Sequence, residues 1–274
     1  GQGRDAGGDS RLSAGGAGSH RPGIDGPATR GRAVEGATGL KLTDHRPRLA
    51  ALHLAYALTG LATAMLGPLL PAFAAQGALP DAQVGRLFTA QFLGGFLAAL
   101  VTSRAVAVLG LRRGITLAYG ILAAGFAIGA LACWPATVTA VCVYGVGLGF
   151  AIPLTSLAVA QIAVGSSAAP LNLLNFSWCL GAVVAPVVTA WFLARAGLAP
   201  FFVSLAVAAA AAGLGARAAV RGEPAAVERT SGRAALGDRL GLLLLSAAAI
   251  FLYVGTETSV GGWTPLWLSR LGAS

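Results

Sequence analysis

The sequence predicts an all-α integral membrane protein, and three observations carry that prediction. The chain of 274 residues is 56% hydrophobic and only 11% charged, whereas soluble domains carry about 25% charged residues. Its mean hydropathy is +0.74, and its uncharged runs approach the ~20 residues that a helix needs to cross a bilayer. The charges lie in a tail, a few turns and a linker, so the net charge of +9 indicates membrane topology and gives no support to a nucleic-acid partner.

The chain divides by composition into four segments. Residues 1–46 are rich in glycine and mixed charge without apolar periodicity, which predicts a disordered tail. Residues 47–220 hold six apolar runs, residues 221–239 are a polar and charged linker, and residues 240–274 hold a seventh run. The predicted spans are 49–73, 83–103, 114–134, 137–162, 169–194, 200–219 and 240–268. Because the first residue is glycine and the chain stops soon after a span, we expect a fragment of a longer protein.

The distribution of basic residues predicts the orientation of the spans. Sixteen of the 19 Lys and Arg residues lie before the first span, in the turn after the second span, or in the linker and its flanks. All of these fall on one side of the predicted membrane, and only three fall on the other. Cytoplasmic loops carry such an excess. We therefore predict a multi-pass protein of the cell (inner) membrane, with the N-terminus and the linker in the cytoplasm.

The stretch Gln91–Gly114 organises this topology. It starts as an apolar helix with paired glycines, turns at Gly110 beside Arg112 and Arg113, and leads directly into the next apolar run. We predict a cytoplasmic hairpin at these three residues. The glycines of spans two and four are predicted to be close-packing surfaces. An internal echo at an offset of 87 residues pairs Gly94 with Gly181, which predicts two three-helix repeats in the first six spans.

Several stretches resemble the major facilitator superfamily. They are GPLLPAF in span one, the hairpin, YGVGLGFAIP in span four, LNLLNFSWCLGAVVAP in span five and FLYVGTETSVGGW in span seven. The last two are most similar to the branch containing fucose and glucose permeases. The resemblance covers roughly residues 48–270. It implies a carrier of twelve spans in two halves, monomeric when complete, of which one half and the seventh span are present here.

The hairpin departs from the family pattern Gly-x-Leu-x-Asp-Arg-x-Gly-Arg-Lys. When Gly110 is aligned, Ala107 and Val108 stand at the Asp and Arg positions, and Val141 stands where span four often carries an Arg. In the family those charges form a latch on the cytoplasmic side. The sequence therefore predicts a basic packing turn without the full charge latch.

Glu257 is the first candidate for chemistry, because it is the only acidic residue well inside an apolar span. An intramembrane carboxylate is costly and normally faces a cavity or a partner. Glu257 is predicted to bind substrate or to couple protons, with Tyr253 one turn away on the same face. A gate-side hydrogen bond is the structural alternative.

Four further side chains are candidates for substrate binding. Asn175 and Trp178 share one face of span five, where an amide beside an indole ring suits sugar hydroxyls. Gln91 and Tyr56 lie near mid-depth in spans two and one. Hydrogen bonding between helices is the alternative for Asn175 and Trp178.

The sequence contains no HExxH, Walker or Cys/His pattern. We therefore predict no catalytic residues, no metal site, no cofactor and no enzyme activity. The predicted function is secondary transport of a small polar solute, first of all a proton-coupled sugar-type permease surrounded by membrane lipids. A drug or metabolite efflux carrier and a truncated, non-transporting remnant are alternatives. A seven-span receptor would need an outside N-terminus in the common arrangement, contrary to the charge distribution.

Overall fold

The computed structural model describes residues 28–77, 80–163, 168–220 and 240–272, with the side chains of 28–45 and 76–77 left aside. Every regular element in these ranges is an α-helix. The helices are α1 (Ala28–Ala64), α2 (Leu66–Gly77), α3 (Asp81–Gly129), α4 (Trp134–Ile162), α5 (Ala168–Arg195), α6 (Leu198–Ala219) and α7 (Leu240–Arg270). The predicted linker 221–239 lies outside the described residues.

The chain divides into two units, Gly1–Leu42 and Thr43–Ser274. The described part of the first unit is the beginning of α1, which starts at Ala28, inside the range predicted as a disordered tail. No proline stands between residues 28 and 46, so every backbone N–H needed for a helix is present there. The second unit contains all of the contacts described below.

The first membrane span is bent between α1 and α2. The segments Arg46–Ala64 and Leu66–Ala75 meet at an angle of 43°. Pro68 has no N–H to donate, and its ring would clash with the carbonyl oxygen of Ala64 in a continuous helix. Pro68, the first of the two prolines in the GPLLPAF stretch, therefore accounts for the break at Met65.

Helix α3 contains two membrane crossings. Gly110 has φ 74° and ψ 161°, a conformation that glycine adopts without a steric cost. A Cβ atom on Gly94 would lie 2.7 Å from the Cys142 carbonyl oxygen, and one on Gly147 would lie 2.7 Å from the Leu122 nitrogen. Gly94 and Leu122 would be ~42 Å apart on a straight helix, yet both contact the middle of α4. The chain therefore reverses at Gly110.

This reversal reconciles the number of helices with the number of spans. Five single helices and the bent pair α1–α2 are long and apolar enough to cross a membrane. A straight helix with the 49 residues of α3 would be ~74 Å long, more than twice the thickness of the ~30 Å hydrocarbon core. With α3 counted twice, the described residues provide the seven crossings that the sequence predicts.

Two helix crossings repeat the same geometry. A Cβ atom on Gly145 of α4 would overlap the carbonyl oxygen of Gln91 in α3, and one on Gly60 of α1 would overlap the carbonyl oxygen of Trp178 in α5. Gln91 and Trp178 are 87 positions apart, and Gly60 and Gly145 are 85 apart. Each contact thus joins the first span of one predicted repeat to the second span of the other.

The core lies within the first six crossings, and α7 is peripheral. Phe126 packs against Phe202 and Tyr144, with ring centroids 6.4 and 5.4 Å away. In α7 only Gly262 and Leu266 are buried, and the residues from Leu240 to Glu257 are all exposed. The seventh helix therefore contacts the bundle through its last third.

Candidate functional site

Gln91 joins three crossings of the bundle through neutral hydrogen bonds. The Tyr144 hydroxyl donates to Gln91 Oε1 over 2.9 Å, and Gln91 Nε2 donates to the Thr63 carbonyl oxygen over 3.3 Å. Both side chains are almost completely buried. The Gln91 amide therefore makes interhelical hydrogen bonds within the protein core, and its part in substrate binding stays a prediction.

Tyr56 belongs to a second buried polar group. Ser156 Oγ donates to the Tyr56 hydroxyl oxygen over 3.3 Å. On the preceding residue of α4, Thr155 Oγ1 lies 3.1 Å from the Tyr119 hydroxyl. Tyr56 and Tyr119 are both buried. These contacts link α1 and the second arm of α3 to α4 without using a charged residue.

Asn175 and Trp178 of α5 have different environments. Asn175 is exposed and Trp178 is half-buried. The backbone of Trp178 lies against Gly60 of α1. The residue before it, Ser177, has its Oγ 2.9 Å from His53 Nδ1 of α1. The Asn175 side chain is thus accessible from outside the described bundle, whereas the tryptophan position is part of the α1–α5 crossing.

Tyr253 and Glu257 lie on the exposed part of α7. The Tyr253 side chain is 66% exposed, and Glu257 is exposed as well. The structure does not bring them together with Gln91 or Tyr56, which are buried in the six-helix bundle. The six candidate side chains therefore do not form one site in the part of the chain that the structure describes.

A cavity of about 830 Å³ separates α7 from the first arm of α3. Phe88, Phe92 and Phe96 line it from α3, and Ile250, Phe251 and Val254 face them from α7. Its hydroxyl groups come from Thr89, Thr258 and Ser259. The cavity is large enough for a small organic molecule, and its lining is predominantly apolar. It contains none of the six candidate residues.

The bundle is closed at one end of this cavity. Arg270 Nη1 donates to Asp81 Oδ2 over 2.7 Å, and Arg270 Nη2 donates to the other carboxylate oxygen, which makes the ion pair bidentate. A Cβ atom on Gly67 would lie 3.0 Å from the Gly261 and Gly262 backbone. The Phe88 and Trp263 rings pack nearby, 6.3 Å apart. These contacts join α7 to α2 and to the first arm of α3. We call the whole group the α2–α7 closure.

Comparison with known proteins identifies the family. Residues 52–274 match the family described as Major Facilitator Superfamily. The chain belongs to the major facilitator superfamily. No curated protein sequence matches it.

A solved structure shares the fold of this superfamily member. It is the crystal structure of a POT family transporter in complex with a thioalcohol-conjugated peptide. The TM-score is 0.56 at 13% sequence identity, over 78% of this chain and 47% of the other. At this identity the likeness concerns the fold alone. The chain spans about half the length of the structure that it matches.

The departures from the superfamily's hairpin pattern have a structural counterpart. Val141, which stands where span four often has an Arg, is completely buried. Ala107 and Val108, which stand at the Asp and Arg positions, are exposed, Val108 with 81% of its surface. A lone charge at the position of Val141 would be buried without a partner, which is costly. The neutral tyrosine contacts described above connect the helices instead.

Metal-binding chemistry finds no support in the described residues. No group of three or more His, Cys, Asp or Glu side chains lies close enough there to hold a metal ion. Cys133, Cys142 and Cys179 are free thiols on three different parts of the bundle.

Proposed function

We propose that this chain forms the first six-helix half and the seventh helix of a secondary transporter, which moves a small solute by alternating access. The observation that carries the proposal is the attachment of α7 at one end only. The α2–α7 closure holds the end of the bundle that carries Asp81, whereas α7 is exposed from Leu240 to Glu257. A bundle that closes at one end and opens at the other is the arrangement that alternating access requires.

The lining of the cavity favours an apolar or amphipathic solute. Aromatic and branched side chains on both helices would contact the apolar part of such a molecule, and the three hydroxyl groups would orient it. This supports the efflux-type carrier. A polar sugar-type solute with proton coupling stays the second candidate. It rests on the exposed Glu257, Tyr253 and Asn175, which the remaining helices of a second six-helix half would face.

Phe92 provides a direct test of transport through the cavity. We expect Phe92→Ala to reduce counterflow of an aromatic cation in proteoliposomes about tenfold, because it removes one large apolar contact of ~1–3 kcal/mol. The protein used should be the product of the complete reading frame. A panel of sugars in the same assay distinguishes the two solute classes.

Phe176→Ala is the matched control, because Phe176 is exposed on α5 and does not line the cavity. Equal losses in the two variants would contradict a solute site at Phe92. Counterflow of sugars alone would favour the second candidate. Absence of any counterflow from correctly folded protein would overturn the transport proposal.

A further inference from the structure

Three arginines from two helices line a pocket of about 460 Å³. Arg112 and Arg113 come from the start of the second arm of α3, and Arg217 comes from the last turn of α6. Thr116 and Leu117 complete the lining. We call this site the arginine pocket. It lies at the end of the bundle opposite the α2–α7 closure, because α3 reverses at Gly110.

Packing of the two helices fixes the relative positions of these arginines. A Cβ atom on Gly213 of α6 would lie 2.6 Å from the Tyr119 Cβ atom, so the helices approach closely only because residue 213 is glycine. Gly213 is one turn before Arg217, and Tyr119 is two turns after Arg112. Each arginine thus projects from a rigid helix and not from a loop.

The charges of the arginine pocket have no acidic partner in the described part of the chain. The carboxylates whose side chains are described are Asp81, which pairs with Arg270, and Glu257 on α7. Neither lines the pocket. Three guanidinium groups without a counter-charge among the described residues create a local excess of positive potential that attracts anions. Guanidinium groups bind phosphate oxygens in a bidentate manner.

Two exposed leucines lie about one helical turn from the arginines, toward the middle of the bundle. Leu117 lines the pocket and is 45% exposed, and Leu214, one turn before Arg217, is 65% exposed. An anion without an apolar part would leave this surface unused. An acyl chain would cover it.

We propose that the arginine pocket binds the phosphate of an anionic phospholipid in the cytoplasmic leaflet, with an acyl chain along Leu117 and Leu214. Basic pockets between helices on the cytoplasmic side are suited to anionic headgroups. The proposal rests on the chain being a membrane protein with this end in the cytoplasm. It does not depend on what the protein transports.

Lipid titration of the purified chain tests the proposal. Thermal unfolding in detergent is followed with added dioleoylphosphatidylglycerol, dioleoylphosphatidylcholine, glycerol 3-phosphate or inorganic phosphate. We expect the anionic lipid to raise the unfolding temperature and the other three to have little effect. Arg217→Gln should weaken the apparent affinity for phosphatidylglycerol about fivefold, the effect of one basic residue near an anionic membrane surface.

Arg104→Gln is the matched control, because Arg104 is an exposed arginine of α3 outside the pocket and its loss changes the net charge equally. If both substitutions weaken the affinity for phosphatidylglycerol equally, general surface charge and not the pocket attracts the lipid, and the proposal is overturned. An equal effect of inorganic phosphate would show an anion site without a lipid.

A second readout, the motionally restricted fraction of spin-labelled phosphatidylglycerol, does not depend on the stability of the variants. If Arg217→Gln leaves that fraction unchanged, the proposal is wrong. Loss of transport with intact lipid binding would instead concern the proposed function.

Discussion

At the residue scale, Gln91 is the point where the stability of the polar core can be tested. Its carboxamide accepts a hydrogen bond from the Tyr144 hydroxyl and donates one to the Thr63 carbonyl oxygen. We expect Gln91→Leu to lower the free energy of unfolding by about 1–3 kcal/mol, because it leaves the buried Tyr144 hydroxyl without an acceptor. Denaturant unfolding in detergent measures the change.

A double-mutant cycle separates the hydrogen bond from packing. Tyr144→Phe in the Gln91→Leu background removes the unpaired hydroxyl, so the double variant should be less destabilised than the sum of the two single variants. Strict additivity of the two changes would contradict a direct interaction between these side chains.

Polarity at mid-depth was sufficient to select Gln91 and Tyr56 from the sequence, but not to decide what they face. Each polar group has its partner on another helix: Tyr144 is 53 positions from Gln91, and Ser156 is 100 positions from Tyr56. Helical periodicity orders residues within one span and contains no information on which other span supplies the partner. Interhelical bonding and solute binding therefore stay equivalent at the sequence level.

At the element scale, glycine determines how closely the helices approach. A Cβ atom on Gly181 of α5 would overlap the Ala57 carbonyl oxygen of α1, whereas one on Gly120 of α3 would meet nothing within 4 Å. We expect Gly181→Ala to destabilise the protein by about 1–3 kcal/mol, because the helices must separate. Gly120→Ala, the matched control, should be neutral or stabilise by up to about 1 kcal/mol through helix propensity.

Unfolding of both glycine variants under the same detergent conditions gives the comparison. Equal stability of the two variants would show that α1 and α5 are not in backbone contact at Gly181. The sign of the difference is decisive here, because both substitutions add the same methyl group to a helix.

The helices themselves were largely predictable from composition. Glycine at position 110, followed closely by two arginines, predicts that the chain reverses its direction there. The structure shows this reversal, with φ 74° at Gly110. The prediction that glycines of spans two and four are packing surfaces is confirmed by Gly94 and Gly147. The echo between Gly94 and Gly181 is likewise reflected in two equivalent crossings. Each of these features requires glycine at a particular position, and the residue type can be read from the sequence.

At the scale of the whole molecule, the attachment of α7 could not be predicted. Asp81 and Arg270 are 189 positions apart, and Asp81 alone indicates only the start of a helix. Because this ion pair is exposed to solvent, it contributes little to stability, so the glycine and aromatic contacts of the α2–α7 closure are needed as well. The 830 Å³ cavity follows from this one-ended attachment and is invisible in any single span.

Orientation in the membrane is the whole-molecule property that a native cysteine can test. Cys133 is exposed in the turn between α3 and α4, at the end of the bundle that carries Asp81, whereas Arg113 is exposed at the opposite end. The excess of basic residues at the Arg113 end predicts that this end is cytoplasmic.

In a Cys142→Ala, Cys179→Ala background, we expect an impermeant maleimide to label Cys133 in intact cells. With Cys133 also replaced by alanine, an Arg113→Cys variant should be labelled only after the membrane is permeabilised. The reverse pattern would invert the topology and move the arginine pocket to the other leaflet, and labelling of both positions in intact cells would exclude a single orientation.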